Sequence, residues 1–193
     1  MYEFLRGKVT SLNPASVVID TGSIGFFVNI SLNTYSKING KNEALLLLHQ
    51  VVRDDAHIFY GFAEKNEREL FRNLITVSGV GAATAIMMLS SLTPDEVVAA
   101  ITTGNTGVLK TVKGIGIKTA QRIIIDLKDK LGKVSESSQF LLSADNTLQN
   151  EALSALAMLG FAKKDAEKVI VKIIRENPGA TVERVIKTAL KRL

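Results

Sequence analysis

A twelve-residue phrase occurs twice in this chain, thirty-five residues apart, and it commits the middle of the protein to helices joined by glycine turns. The first copy, Leu74 to Ala85, is Leu-Ile-Thr-Val-Ser-Gly-Val-Gly-Ala-Ala-Thr-Ala. The second, Leu109 to Ala120, is Leu-Lys-Thr-Val-Lys-Gly-Ile-Gly-Ile-Lys-Thr-Ala. The Leu, Thr and Val, both glycines and the closing Thr-Ala are identical, and Val80 and Ile115 are near-equivalent. Glycines let the chain turn tightly and put no side chain in the way. The first amides of the helix that follows lack partners, and the positive end of the helix dipole stands behind them. A phosphate fits there. The candidate contacts to a nucleic-acid backbone are therefore Ser78, Gly79, Val80 and Gly81 in the first copy. In the second they are Lys113, Gly114, Ile115, Gly116, Lys118, Thr119 and Arg122.

The competing reading is a helix–helix turn that needs glycine for packing alone. Two copies, each opening a helix in a basic chain, favour phosphate. The net charge is +5 and the isoelectric point is near 9.4, which suits polyanionic partners. Two rival glycine motifs fail. A P-loop needs Gly directly before Lys-Ser/Thr, but Ile117 precedes Lys118-Thr119. A dinucleotide fingerprint needs Gly or Ala where Thr84 and Thr119 stand. The copies differ in charge: the second carries Lys110, Lys113, Lys118 and Arg122, whereas the first has Ser78, Ala82 and Ala83. The second is expected to contribute more of the salt-dependent affinity, about 0.9 in slope per Lys–phosphate contact.

On either side of this repeat the patterning changes. Residues 1–63 predict five short strands, Tyr2–Leu12, Ala15–Thr21, Ile24–Ser31, Ala44–Val52 and Ala56–Phe62, separated by turn residues. Five strands in so small a unit are expected to close into a barrel of the oligonucleotide-binding (OB) type, with another small-barrel topology as the alternative. Residues 64–131 are helical. Glu67, Leu70, Phe71, Leu74 and Ile75 share one face, and all but the first are apolar. Thr93-Pro94-Asp95-Glu96 is a capping box with proline at the first helical position. Lys118–Leu131 predicts a helix with Ile123, Ile124 and Leu127 inward. Residues 132–146 have a linker's composition, with Phe140, Leu141 and Leu142 as an apolar spot inside it. Residues 147–193 predict three short helices, about Thr147–Leu159, Lys163–Glu176 and Thr181–Leu193, with a marginal core. The fold class expected is multidomain α+β.

Asp54-Asp55 falls at the turn between the last two strands. A solvated turn explains acid there; on a nucleic-acid-binding face, it would also repel phosphate and hold strands apart. A metal pair lacks a third carboxylate nearby in sequence, so no metal and no cofactor are expected. No Ser-His-Asp spacing, His-Glu-x-x-His or paired catalytic carboxylates occur, so no catalytic residue is expected. His49 and His57 lie within predicted strands. A nuclease using Asp54 and Asp55 and a single-strand-binding barrel with Phe26, Phe27 and Phe59 stacking on bases are the rival functions. The absence of cysteine excludes disulfides and thiolate zinc sites. No apolar run is long enough to span a membrane, and the first residues lack a signal peptide's layout, so a cytoplasmic location is expected.

The arrangement resembles the RuvA family of Holliday-junction-binding proteins. The likeness is carried by Phe4-Leu5-Arg6-Gly7, by Val51-Val52-Arg53-Asp54-Asp55-Ala56 leading to Tyr60-Gly61-Phe62, and by both Gly-x-Gly hairpins. Asp126-Leu127-Lys128-Asp129, Ala155-Leu156 and Leu159-Gly160-Phe161 complete it. The resemblance implies an OB-fold barrel, a tandem helix-hairpin-helix domain and a three-helix, UBA-like domain. It implies a homotetramer, with an octamer as the alternative, that holds a four-way DNA junction open and nearly square. Asp54 and Asp55 would form an acidic pin at the crossover. The last domain would bind the RuvB ATPase through Leu156, Leu159 and Phe161, which are otherwise simply that domain's core. The RuvC resolvase would share the junction. Two departures are visible: the pin begins with Asp54 where the family usually has Glu, and Ala83 and Ile117 stand where the family often has lysine.

Overall fold

The computed structural model describes residues 2–140, 144–177 and 179–193, and side chains outside 132–147. Alternation of apolar residues builds the first element set: β1 (Phe4–Asn13), β2 (Ser16–Asp20), β3 (Gly25–Ile30), β4 (Glu43–Val52) and β5 (His57–Phe62). They close into a barrel in the order β1-β2-β3-β5-β4. All pairs are antiparallel except β3 with β5. Closure comes from β1, which pairs β4 through Phe4–Lys8 and β2 through Lys8–Asn13, with a register shift between Val9 and Ser11. Leu5, Val17, Ile19, Val28, Ile30, Ala44, Leu46 and Leu48 fill the interior, as period-two alternation requires.

One element of the barrel has no strong sequence signal. Helix α1 (Leu32–Ile38) lies between β3 and β4 and drops Ile38 into the barrel core. Ser31 caps it by accepting from the Thr34 amide at 3.0 Å.

The outer face of the barrel at β4 and β5 is covered by helix α2 (Lys65–Leu74). Phe71 stands at the centre of that contact, its ring 5.0 Å from Phe62, 5.2 Å from Tyr60 and 5.3 Å from His49, centroid to centroid. Tyr60, Phe62, Leu70, Phe71 and Leu74 belong to one core with the helices that follow. These are α3 (Ala82–Ser91), α4 (Pro94–Thr102), α5 (Thr106–Lys110) and α6 (Ile117–Phe140). The Thr93/Glu96 capping box opens α4 as its sequence requires. Met1–Gly132 thus forms one compact unit.

Glu67, on the inner face of α2, is fully buried. Its carboxyl accepts from the Ser31 hydroxyl through one oxygen and from Thr34 Oγ1, at 2.7 Å, through the other. Thr34 Oγ1 in turn accepts from the Ala63 amide at 3.1 Å. Burial pushes the carboxyl's pKa up, against the pull of those two hydroxyls.

Lys133–Leu193 forms the second compact unit. Its helices α7 (Ala144–Met158), α8 (Lys163–Glu176) and α9 (Val182–Ala189) enclose a small core of Ala152, Leu156, Ala166, Ile170, Ile173, Val185 and Ala189. Within the stretch 132–146 expected as a linker, helix is described to Phe140 and again from Ala144. Leu141 and Leu142 lie outside the described residues, as does the side chain of Phe140. Among the described residues, no single helix is long and apolar enough to cross a membrane.

Candidate nucleic-acid interface

The two phrases fold into the same structure, hydrogen bond for hydrogen bond. In the first, Thr76 Oγ1 donates to Asn73 O at 2.7 Å, the Val77 amide to Leu74 O at 3.1 Å and the Val80 amide to Val77 O at 3.0 Å. In the second, Thr111 Oγ1 donates to Val108 O at 2.7 Å, the Val112 amide to Leu109 O at 3.3 Å and the Ile115 amide to Val112 O at 3.1 Å. Val77, Val80, Val112 and Ile115 are buried, which fixes each turn to the core beneath it. The ladders of α3 and α6 begin with Ala85 N–Gly81 O and Ala120 N–Gly116 O, both 2.9 Å. The amides ahead of those bonds, at Ala82–Thr84 and Ile117–Thr119, form the orphan first turn of each helix.

The paired glycines have different duties. Gly79 and Gly114 take φ of +90° and +91°, a left-handed conformation that a side chain would strain. Gly81 and Gly116 have no positive φ, and a Cβ built on either meets nothing within 4 Å. Backbone conformation therefore accounts for the first glycine of each pair, and neither conformation nor packing inside the protein accounts for the second. What the second keeps clear is the space outside, in front of the helix N-terminus.

Around this frame Ser78, Gly79 and Gly81, with Lys113, Gly114, Gly116, Lys118 and Arg122, are exposed, and Thr119 is half-buried. Val80 and Ile115, grouped with them from sequence, point into the core; only their backbone faces the turn. Lys113, Lys118 and Arg122 gather at the second hairpin, while Ala83 leaves the first uncharged by its own residues. One contact was not legible from spacing: Arg122 Nη1 donates to Ser78 Oγ at 3.1 Å and to Ser78 O at 3.3 Å, reaching from the second hairpin's helix to the first hairpin's turn. Asn33 was missed as well. From α1 its side-chain amide donates to Leu89 O and, at 3.1 Å, to Leu92 O, and the Leu32 amide donates to Ser90 Oγ at 3.1 Å. The barrel thereby holds the C-terminal end of the helix that the first hairpin opens.

Asp54 and Asp55 occupy the exposed tip of the β4–β5 turn. The turn is closed by the Arg53 amide donating to Ala56 O at 2.8 Å and the Ala56 amide to Arg53 O at 3.4 Å. Among the described residues, no three His, Asp or Glu side chains stand close enough to hold a metal. Of the barrel aromatics, Phe27 is exposed, but Phe26 and Phe59 are half-buried against the core and in edge contact at 5.9 Å. A stacking platform of all three is not formed. In the second unit Leu156 is fully buried and Phe161 packs on the same core, as the core alternative for these residues requires, while Leu159 is exposed beside Met158.

A closed five-stranded OB barrel, a tandem helix-hairpin-helix and a separate three-helix unit define a modular α+β protein of the helix-hairpin-helix class. Three family models match in chain order: RuvA N-terminal domain over residues 1–61, SAM-like helix-hairpin-helix tandem over 71–129, and RuvA C-terminal domain over 147–193. The chain is 51% identical to the Holliday junction branch migration complex subunit RuvA of Bacteroides thetaiotaomicron, over the full length of both. It is 50% identical to that of Christiangramia forsetii and 48% to that of Flavobacterium psychrophilum, again over both full lengths. The chain belongs to the RuvA family.

Proposed function

We propose that this protein binds four-way DNA junctions and serves as the non-catalytic, DNA-holding subunit of a branch-migration complex in the cytoplasm. The observation that carries the reading is the duplicated hairpin, whose second glycine clears space that nothing in the protein uses. Each hairpin offers a helix N-terminus to a backbone phosphate, and Lys113, Lys118 and Arg122 add charge at the second. Relatives named as junction branch-migration subunits, at half identity over the whole chain, support the same reading.

Four copies would surround the crossover, each gripping the duplex arms and holding the junction open and nearly square. Asp54 and Asp55, exposed at a tight turn, would stand at the crossover as a pin, repelling phosphates and keeping strands apart. The three-helix unit would recruit the RuvB motor, with Leu159 and Met158 as its accessible apolar contacts, Phe161 beside them and Leu156 supporting them from the core. RuvC would act on the same junction. The test is a chain ending at Gly132. It should retain junction binding and lose stimulation of the RuvB ATPase; loss of binding, or full stimulation, would contradict this division of labour.

A further inference from the structure

The thirty-five-residue offset pairs Lys113 with Ser78, Lys118 with Ala83 and Arg122 with Met87. These three cations of the second hairpin, like Lys110, which pairs with Ile75, are thus missing from the first. Arg122 bridges the two, with both acceptors of Ser78, hydroxyl and carbonyl, taken by its Nη1. Among the described residues its Nη2 and Nε have no hydrogen-bond partner and no carboxylate pairs with it. Its side chain is exposed, on the surface that carries the glycine turns.

We infer that Arg122 is a positioning residue shared by the two hairpins. It braces the first turn from the second hairpin's helix and supplies the first with the cation its own sequence lacks. The planar guanidinium suits this double duty, since one edge holds the Ser78 turn while the remaining donors stay free for a phosphate oxygen. Held at Ser78 O, the brace acts on the residue just before Gly79, whose left-handed conformation sets the turn. Loss of Arg122 therefore loosens the first hairpin as well as weakening the second. The inference rests on the phosphate-grip reading above and extends it to the angle between the grips.

The full chain is tested for binding to a four-way junction by anisotropy, as wild type, Arg122→Gln, Gly81→Val and the double variant. Amide exchange of Val77 and Val80, whose hydrogen-bonded amides close the first turn, is followed in the free protein. Arg122→Gln should weaken binding about tenfold, lower the salt slope by about 0.9 and speed exchange at Val77 and Val80. With the first hairpin already disabled by Gly81→Val, the same substitution should cost less than about threefold. A full tenfold cost in the Gly81→Val background, or unchanged exchange at Val77 and Val80, would show that Arg122 serves its own hairpin alone and overturn the inference. Wild-type binding by both Gly81→Val and Gly116→Val is a different failure, since it would overturn the phosphate grip itself.

Discussion

A valine at Gly116 or Gly81 would meet no atom of the protein within 4 Å at its Cβ, and neither position needs a positive φ. Folding should tolerate either change within about 1 kcal/mol, the scale of a lost N-cap preference. Binding should not, because the branched side chain stands where a phosphate oxygen would approach. Junction affinity is expected to fall at least about tenfold, equivalent to about 1.4 kcal/mol, with the thermal transition nearly unmoved. An affinity unchanged by both substitutions would leave the hairpins with a structural role only. At Gly114 the same valine mixes the two effects, since its φ of +91° adds strain of about 1–2 kcal/mol. Glu67 gives a second residue-scale expectation. Burial raises its pKa above the ordinary 4.5, so the folded state favours the protonated form. Its contribution to stability is therefore fullest below about pH 4.5 and declines as pH rises toward the raised folded value. Replacing it with Gln should remove that decline, measured as denaturant midpoints against pH from 4.5 upward. Equal pH slopes for the two proteins would assign the dependence elsewhere. The sequence exposed Glu67 as the odd member of an apolar face, but its partners Ser31 and Thr34 lie more than thirty residues away, so only the folded chain reveals why a carboxyl is tolerated there.

Elements with a strong local signal were legible before folding, and those held by distant contacts were not. All five strands follow from runs rich in Val, Ile, Leu, Phe and Tyr bounded by turns, and α4 follows from its Thr93/Glu96 box. Helix α1 did not, because Leu32–Ile38 is short and is secured by Ser31, by Ile38 in the barrel core and by Asn33 against α3. The two hairpin turns and their difference in charge were legible, but the burial of Val80 and Ile115 beneath them was not. The brace from Arg122 to Ser78 was not, since it joins residues forty-four positions apart. Helix α2 joins barrel to hairpins through Phe71, which has no exposed surface. Phe71→Ala should destabilise the first unit by about 3–5 kcal/mol, the usual cost of emptying a buried aromatic site. Denaturant unfolding would measure it, and a loss below about 1 kcal/mol would mean that the barrel and hairpins do not depend on this shared core.

At the scale of the molecule, one compact unit holds both the acidic turn and the two glycine hairpins, and the other is a small helical unit with its own core. Under the proposed function, that partition would separate holding DNA from contacting a motor. The acidic tip should matter for discrimination more than for affinity. Asp54→Asn combined with Asp55→Asn is expected to strengthen binding to plain duplex severalfold, through lost repulsion of phosphate, while narrowing the preference for junctions. Unchanged preference in a competition assay would remove the pin from the account. The central claim is that two glycine turns per chain are built to hold the arms of a branched DNA. The most direct measurement is the affinity of the full chain for a four-way junction against a linear duplex of the same sequence and length, titrated across salt. Much tighter binding to the junction, weakening steeply with salt, is the expected result; equal affinity for the two DNAs at every salt concentration would contradict it.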